Sequence, residues 1–113
     1  MNMETEKLLV IELSKGNESA FEKLYNTYRD NIYAYALSLL KSKAHAEEVV
    51  QEVFLAVWKK REKLDGSRSF KSFLFTMARN KSFDLLKKAA NDLRLREEVF
   101  YRSQKLYDPT EKN

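Results

Sequence analysis

Two glycines and one proline are all that punctuate this chain of 113 residues. So few turn formers exclude a string of hairpins, whose tight connections need residues that reach positive φ or fix it in advance. What fills the chain instead is Leu, Ala, Glu, Lys and Arg, the better helix formers. The fold expected is all-α, a compact bundle of about four to five helices. With 43% hydrophobic and 34% charged residues, the chain supports one modest core and fits neither a disordered nor a membrane protein.

Apolar spacing lays out the helices. Leu8, Leu9, Ile11 and Leu13 mark a short one over residues 4–14, stopped by Gly16. Asn17 or Ser19 is placed to cap a long second helix, from about Ser19 to Lys41. Its Phe21, Leu24, Tyr25, Tyr28, Ile32, Tyr35, Ala36, Leu39 and Leu40 keep the three-four spacing of a buried stripe. The chain's tyrosines suit half-buried positions where the hydroxyl reaches water. "KSKAH" reads as a turn, a third helix spans about Ala44 to Lys60, and "EKLDGSRS" is the clearest loop. A fourth helix starts near Phe70, with Ser69 as cap, and runs to about Ala90. Residues 91–106 either extend it or form a further helix, and "YDPTEKN" reads as a frayed tail or the start of a linker.

The net charge of +4 conceals a division. Through Val57 there are six Lys/Arg against nine Asp/Glu, a net of −3; from Trp58 onward there are fifteen against eight, a net of +7. Such asymmetry suggests an acidic surface for one partner and a basic surface for a polyanion, where the plainer alternative is unevenly charged solvated faces. The absence of cysteine excludes a disulfide framework and thiolate metal sites. "MNMETEKLLVIELSKGN" has no basic n-region and no small-residue cleavage site, and no apolar run is long enough to span a bilayer. A cytoplasmic protein without membrane insertion is expected.

Two helices carry the functional information. At 100° per residue, Ala46, Val49, Val50, Val53, Phe54 and Val57 of the third helix gather on a core side. Opposite lie Glu48, Gln51, Glu52, Leu55 and Lys59, with Glu47 and Trp58 at the edge. An apolar centre within a carboxylate rim is how docking surfaces are built, though an ordinary solvated face shares the pattern. On the fourth helix, Phe70, Phe73, Leu74, Met77, Ala78 and Leu85 form a core stripe. The far side holds Thr76, Arg79, Asn80, Phe83 and Lys87, flanked by Phe75 and Leu86. Either Phe83 is buried under the C-terminal segment, or the helix shows an aromatic, basic surface to a ligand. Stacked bases with phosphates held by Lys and Arg suit single-stranded nucleic acid, and an Asn amide can read a base edge. Enzyme chemistry finds no footing. His45 is the only histidine and falls in the polar turn, and no phosphate loop, catalytic triad or metal cluster is present. No cofactor is expected.

The strings "AFEKLYNTYRDNIYAYALSLL" and "HAEEVVQEVFLAVWKKREKLDGSRSFKSFLFTMARNKSFDLLKK" resemble the second domain of bacterial RNA polymerase sigma factors of the extracytoplasmic-function class. The match covers residues 19–90, and its most specific part is "AEEVVQEVFLAVW…FKSFLF…ARN". The resemblance implies a helical domain that docks on the clamp helices of the polymerase β′ subunit. It also implies recognition and melting of the promoter −10 element, with the non-template strand held single. Under it, Glu47, Glu48, Gln51, Glu52, Leu55 and Trp58 belong to the docking helix. Leu64, Asp65, Gly66, Ser67, Arg68, Ser69 and Phe70 shape a pocket for a flipped base, and Asn80 takes the base-reading position. Thr76, Arg79, Lys81, Phe83, Lys87 and Lys88 face the strand and its phosphates.

Two departures qualify the resemblance. Where housekeeping sigma factors carry a tryptophan pair that wedges the duplex open, this chain has Thr76 and Met77. That is usual for the extracytoplasmic-function class and implies melting by base capture on near-ideal promoters. Full family members also continue into a linker and a helix-turn-helix domain that reads the −35 element. The expected organisation is therefore a region 2 domain at 1–90, an extension or linker start at 91–113, and no −35-reading domain. A piece of a longer factor is the first expectation, a natural single-domain relative the second. Two other readings stand beside it: a helical nucleic-acid-binding module that never meets polymerase, and a protein-interaction adaptor whose aromatic-basic face is covered by another protein. An anti-sigma factor is the partner the resemblance implies for that role.

Overall fold

Short polar side chains fix where each helix begins. In the computed structural model, which describes residues 1–106, α1 (Met3–Ser14) is capped by Asn2, whose Oδ1 accepts the Thr5 amide at 2.8 Å. Gly16 then takes φ +88, a left-handed conformation that a Cβ would strain. Of the two candidate caps for α2 (Glu18–Leu40), Asn17 is the one used, its Oδ1 accepting from the Ala20 amide at 3.0 Å. The turn expected over "KSKAH" is only two residues long. Lys41 adopts a left-handed φ of 56°, and Ser42 already caps α3 (Lys43–Lys59) by accepting the His45 amide. A 3-10 turn at Arg61–Lys63 takes up the first part of the expected loop, leaving residues 64–69 irregular. Ser69 then accepts the Ser72 amide at 3.1 Å, as expected, and starts α4 (Phe70–Leu106). Of the alternatives for residues 91–106, the structure takes the extension: α4 runs through them unbroken. The "YDPTEKN" segment lies outside the described residues.

The chain divides into two units, Met1–Phe83 and a second that begins at Asp84. The first holds the core. All six α3 residues assigned to the core side are buried, from Ala46 to Val57. They meet Leu24, Ile32 and Ala36 of α2, and Val10 and Leu13 of α1 complete the interior. The tyrosines of α2 are half-buried, and two tie it to α4: Tyr28 to Phe70 with ring centroids 5.9 Å apart, and Tyr35 to Phe75 at 5.3 Å. Such ring pairs add to what area burial alone supplies.

The α4 stripe differs from expectation at its end. Phe70, Leu74 and Ala78 are buried and Phe73 and Met77 half-buried, but the row continues at four-residue spacing to Ser82, not to Leu85. Leu85 belongs to the second unit, where it is half-buried. Ser82 is fully buried, and its hydroxyl has no hydrogen-bond partner among the described residues. An orphaned buried hydroxyl costs stability, so Ser82→Ala is expected to stabilise the fold by roughly 1 kcal/mol. Thermal melting of the variant checks this, and a loss of that size would show that the hydroxyl is bonded in solution.

The second unit is described as a helix whose Leu86, Leu93, Leu95, Val99, Phe100 and Tyr101 are exposed. A Glu98–Arg102 ion pair at 2.7 Å, one turn apart, supports it locally. Among the described residues no helix is long and apolar enough to cross a membrane.

Candidate nucleic-acid interface and docking face

The core side of α3 dictates the other. With Val49, Val50, Val53 and Val57 turned inward, Glu47, Glu48, Gln51, Glu52 and Leu55 are exposed together, Leu55 by 49%. Trp58 is half-buried at the edge of this face. Its ring stands edge-on to Phe21 at 5.3 Å and carries the Arg61 guanidinium at 4.3 Å, which fixes its orientation. Beside it runs a groove of about 700 Å³ between α2 and α3, lined by Phe21, Tyr25, Phe54, Leu55 and Trp58 and edged by Glu18 and Glu22. The periodicity of α2 assigns Phe21 and Tyr25 to the core; in the structure they are half-buried and form one wall of this groove. The signal that marks the groove is aromatic residues at one-turn spacing on α2 facing an aromatic pair on α3.

The irregular segment 64–69 is pinned at both ends. The Asp65 carboxylate accepts the Ser67 amide at 2.9 Å, and the Asp65 carbonyl accepts the Arg68 amide at 3.1 Å. The Ser67 amide, then the Ser67 side chain, hold the Asp65 carboxyl below its ordinary range, and the Arg68 and Lys7 charges act the same way. Asp65 is therefore a fixed anion in a loop whose one cation is Arg68. A cavity of about 380 Å³ lies against the loop, lined by Leu64, Asp65, Arg68, Ser69, Phe73 and Thr76. Phe70, assigned to the base pocket, also lines this cavity although it is only 4% exposed, its ring packed on Tyr28. Asn80 does not line this cavity. It stands on α4 one turn beyond Thr76, which does.

Thr76, Arg79, Asn80 and Phe83 are exposed on one side of α4, as their spacing requires. Phe83 is 49% exposed rather than covered, with the Arg79 guanidinium 5.7 Å from its ring centre. Lys81, assigned to the strand-facing set, is half-buried, and its Nζ lies 3.6 Å from the Glu52 carboxylate of α3. Lys87 and Lys88 are exposed in the second unit. The arrangement offers an aromatic face with donors and cations on one helix and an acidic, apolar-centred face on another. Among the described residues, no group of three or more His, Cys, Asp or Glu side chains could hold a metal.

The family model for Sigma-70 region 2 matches residues 24–91. The extracytoplasmic-function sigma factor SigW of Bacillus subtilis is 29% identical over 93 residues, which are 82% of this chain and 50% of SigW. SigX of the same organism is 31% identical over 71 residues, 63% of this chain and 37% of SigX. The chain thus spans half or less of the length of these relatives. Among solved structures, an engineered region 2 of sigmaE in complex with GTAAAA superimposes with a TM-score of 0.70 at 25% identity, covering 78% of this chain and 92% of that one. CnrH in complex with the cytosolic domain of CnrY gives a TM-score of 0.67 at 28% identity, covering 70% and 51%.

Proposed function

Since this chain belongs to the sigma-70 region 2 family, and within it to the extracytoplasmic-function class, we propose that it acts in transcription initiation by two contacts. One is docking on the clamp helices of the RNA polymerase β′ subunit through Glu48, Gln51, Leu55 and their neighbours. The other is recognition and melting of the promoter −10 element by capture of the non-template single strand. The domain works in the cytoplasm by binding alone, without catalysis or cofactor. The domain proper takes in residues 1–90, and 91–113 are a C-terminal extension or the start of an interdomain linker.

The observation that carries this reading is Phe83, half-exposed beside Arg79 and Asn80 on a fully formed helix. A ring left open to water next to a cation and a two-way amide suits a base stacked on its face and a phosphate alongside. The fold shared with a sigmaE region 2 that holds GTAAAA supports the same conclusion. In this reading the loop 64–69 takes a flipped base in its cavity, Asn80 reads a base edge, and Lys87 and Lys88 grip phosphates further along α4. With Thr76 and Met77 in place of a tryptophan wedge, strand opening depends on capture of bases that have already left the stack.

Titration with a −10-like single strand at several salt concentrations is the direct test. For about three to five phosphate contacts, log affinity should fall against log salt with a slope of roughly −2 to −3.5. Lys87→Ala and Lys88→Ala should each flatten that slope by about 0.7 while leaving the ranking of sequences unchanged. A slope near zero favours the second reading, in which the aromatic-basic face is covered by a protein such as an anti-sigma factor. The fold shared with CnrH, solved with the cytosolic domain of CnrY, is what favours keeping that partner in view.

A further inference from the structure

The turn inside the loop 64–69 is held from within by two bonds to Asp65, from the Ser67 amide and from the Arg68 amide, and the Ser69 cap follows it. Gly66 lies within that turn and rests on α1. A Cβ built on Gly66 would lie 3.2 Å from Ile11 Cγ1 and 3.4 Å from Ile11 Cδ1, with Lys7 Cγ at 3.6 Å. Gly66 does not have the left-handed φ seen at Gly16. What glycine supplies here is close approach to a helix, not backbone freedom. It also gives a reason for Ile11, a large aliphatic side chain left 40% exposed on the outer side of α1.

The loop separates two cavities. The one proposed for a base, about 380 Å³, has Leu64, Phe73 and Thr76 in its lining; the other, about 810 Å³, has Asn2, Lys7, Gly66 and Lys71. Val10 of α1, Arg68, Ser69 and Phe70 line both. The loop is thus a partition, and α1 is the wall behind it. That wall is itself held: Val10 and Leu13 are buried, and the Tyr28 hydroxyl donates to the Glu6 carboxylate. Burial, then the Glu6 bond, push the Tyr28 hydroxyl up to about 12, so it remains a neutral donor at any ordinary pH.

We propose that α1 sets base discrimination by the loop, with Gly66 and Ile11 as positioning residues: their close packing holds the partition at the depth the pocket requires. The inference rests on the proposed reading of the loop as a base pocket. Adding one methyl at Gly66 pushes the loop off α1 by a few tenths of an ångström, and well-packed contacts respond to shifts of that size. The effect should fall on the fit of one base and not on the phosphate grip of α4.

The test compares wild type, Gly66→Ala, Ile11→Ala and the double variant against a set of −10-like single strands differing at one position each. Gly66→Ala should lose several-fold discrimination at one position with little change in salt slope. Ile11→Ala should itself lose part of that discrimination, because it removes the contact that seats the loop, and adding it to Gly66→Ala should restore part of what that variant lost, because the clashing atoms are gone. A gain in chain stiffness from Ala would act on every sequence alike, and Ile11→Ala would not reverse it. If wild type discriminates and Gly66→Ala matches it, or if Ile11→Ala fails to rescue, the role of α1 is wrong while the base-pocket reading stands. If wild type shows no discrimination at any position, the base-pocket reading itself fails. Melting curves of all four proteins separate a displaced loop from an unfolded one.

Discussion

Glu48→Lys combined with Leu55→Ala is expected to weaken binding to a β′ clamp-helix fragment by about 2 kcal/mol, or about thirty-fold. The two changes remove different things. Leu55 is the apolar centre of the α3 face, 49% exposed with nothing over it, and the part of such a patch that a partner desolvates most fully. Glu48 is at its rim, where reversal sets like charge against a partner chosen for the opposite sign. Glu52 is the less informative choice although it lies on the same face. Its carboxylate is 3.6 Å from Lys81, so reversal would also bring two cations together inside the domain. Glu48 has no such partner among the described ion pairs. Both side chains are exposed, so each change should move stability by under about 0.5 kcal/mol. A calorimetric titration of the variant with unchanged affinity, its helicity intact, would remove the α3 face from the docking surface. Weakened binding with strand affinity preserved would separate the two faces functionally.

How far the sequence discloses this molecule depends on the range of the interaction. Helix existence and the burial of α3 were legible because both follow from spacing within one turn or two: Ala46, Val49, Val50, Val53, Phe54 and Val57 are buried as a set. Two of the helix starts were legible too, at Asn17 and Ser69, whereas the caps at Asn2 and Ser42 were not read from the sequence. The exposed α3 face and the row from Thr76 to Phe83 follow in turn, since a helix with one side fixed has the other fixed as well. Contacts between distant segments were not legible. Nothing in "DGSRS" says that Gly66 will lie against Ile11, fifty-five positions earlier. Nothing on α4 says that Lys81 will turn toward Glu52 while Arg79 stays beside Phe83. Ser82 was invisible for a different reason. A serine within a helix ordinarily reads as solvated, and here the four-residue row from Phe70 through Leu74 and Ala78 carries it into the interior. The residues assigned to the base pocket and to the strand thus fall into places the pattern alone could not sort: Thr76 and Phe70 both line the loop cavity, and Asn80 stands a turn beyond.

That placement sharpens what Asn80→Ala should do. Asn80 is exposed, on the same side of α4 as Phe83 and the turn after Thr76, so in the proposed reading it meets a nucleotide next to the loop cavity and not inside it. An amide that donates and accepts at once can pair with a single base edge, a contact worth ~1–3 kcal/mol in discrimination. Asn80→Ala should therefore relax preference at one −10 position by that amount and leave the others as they were. Affinity for non-cognate strands should hardly change, since stacking on Phe83 and the phosphate grip remain. The rival role for Asn80 is structural, an amide bonding the loop backbone. Against it, among the described residues the side chain that bonds the loop backbone is that of Asp65, while Ser69 bonds the first turn of α4. A structural amide would, when removed, lower the melting temperature and weaken all sequences alike. A matrix of single-base variants, measured with wild type and Asn80→Ala in the polymerase-bound protein, distinguishes the two. Its position-specific outcome also differs from that of Gly66→Ala: the base affected by Asn80 should be the neighbour of the base affected by the loop. Uniform losses across the matrix would take Asn80 out of the recognition surface and leave Phe83 with the cations as a grip without a reader.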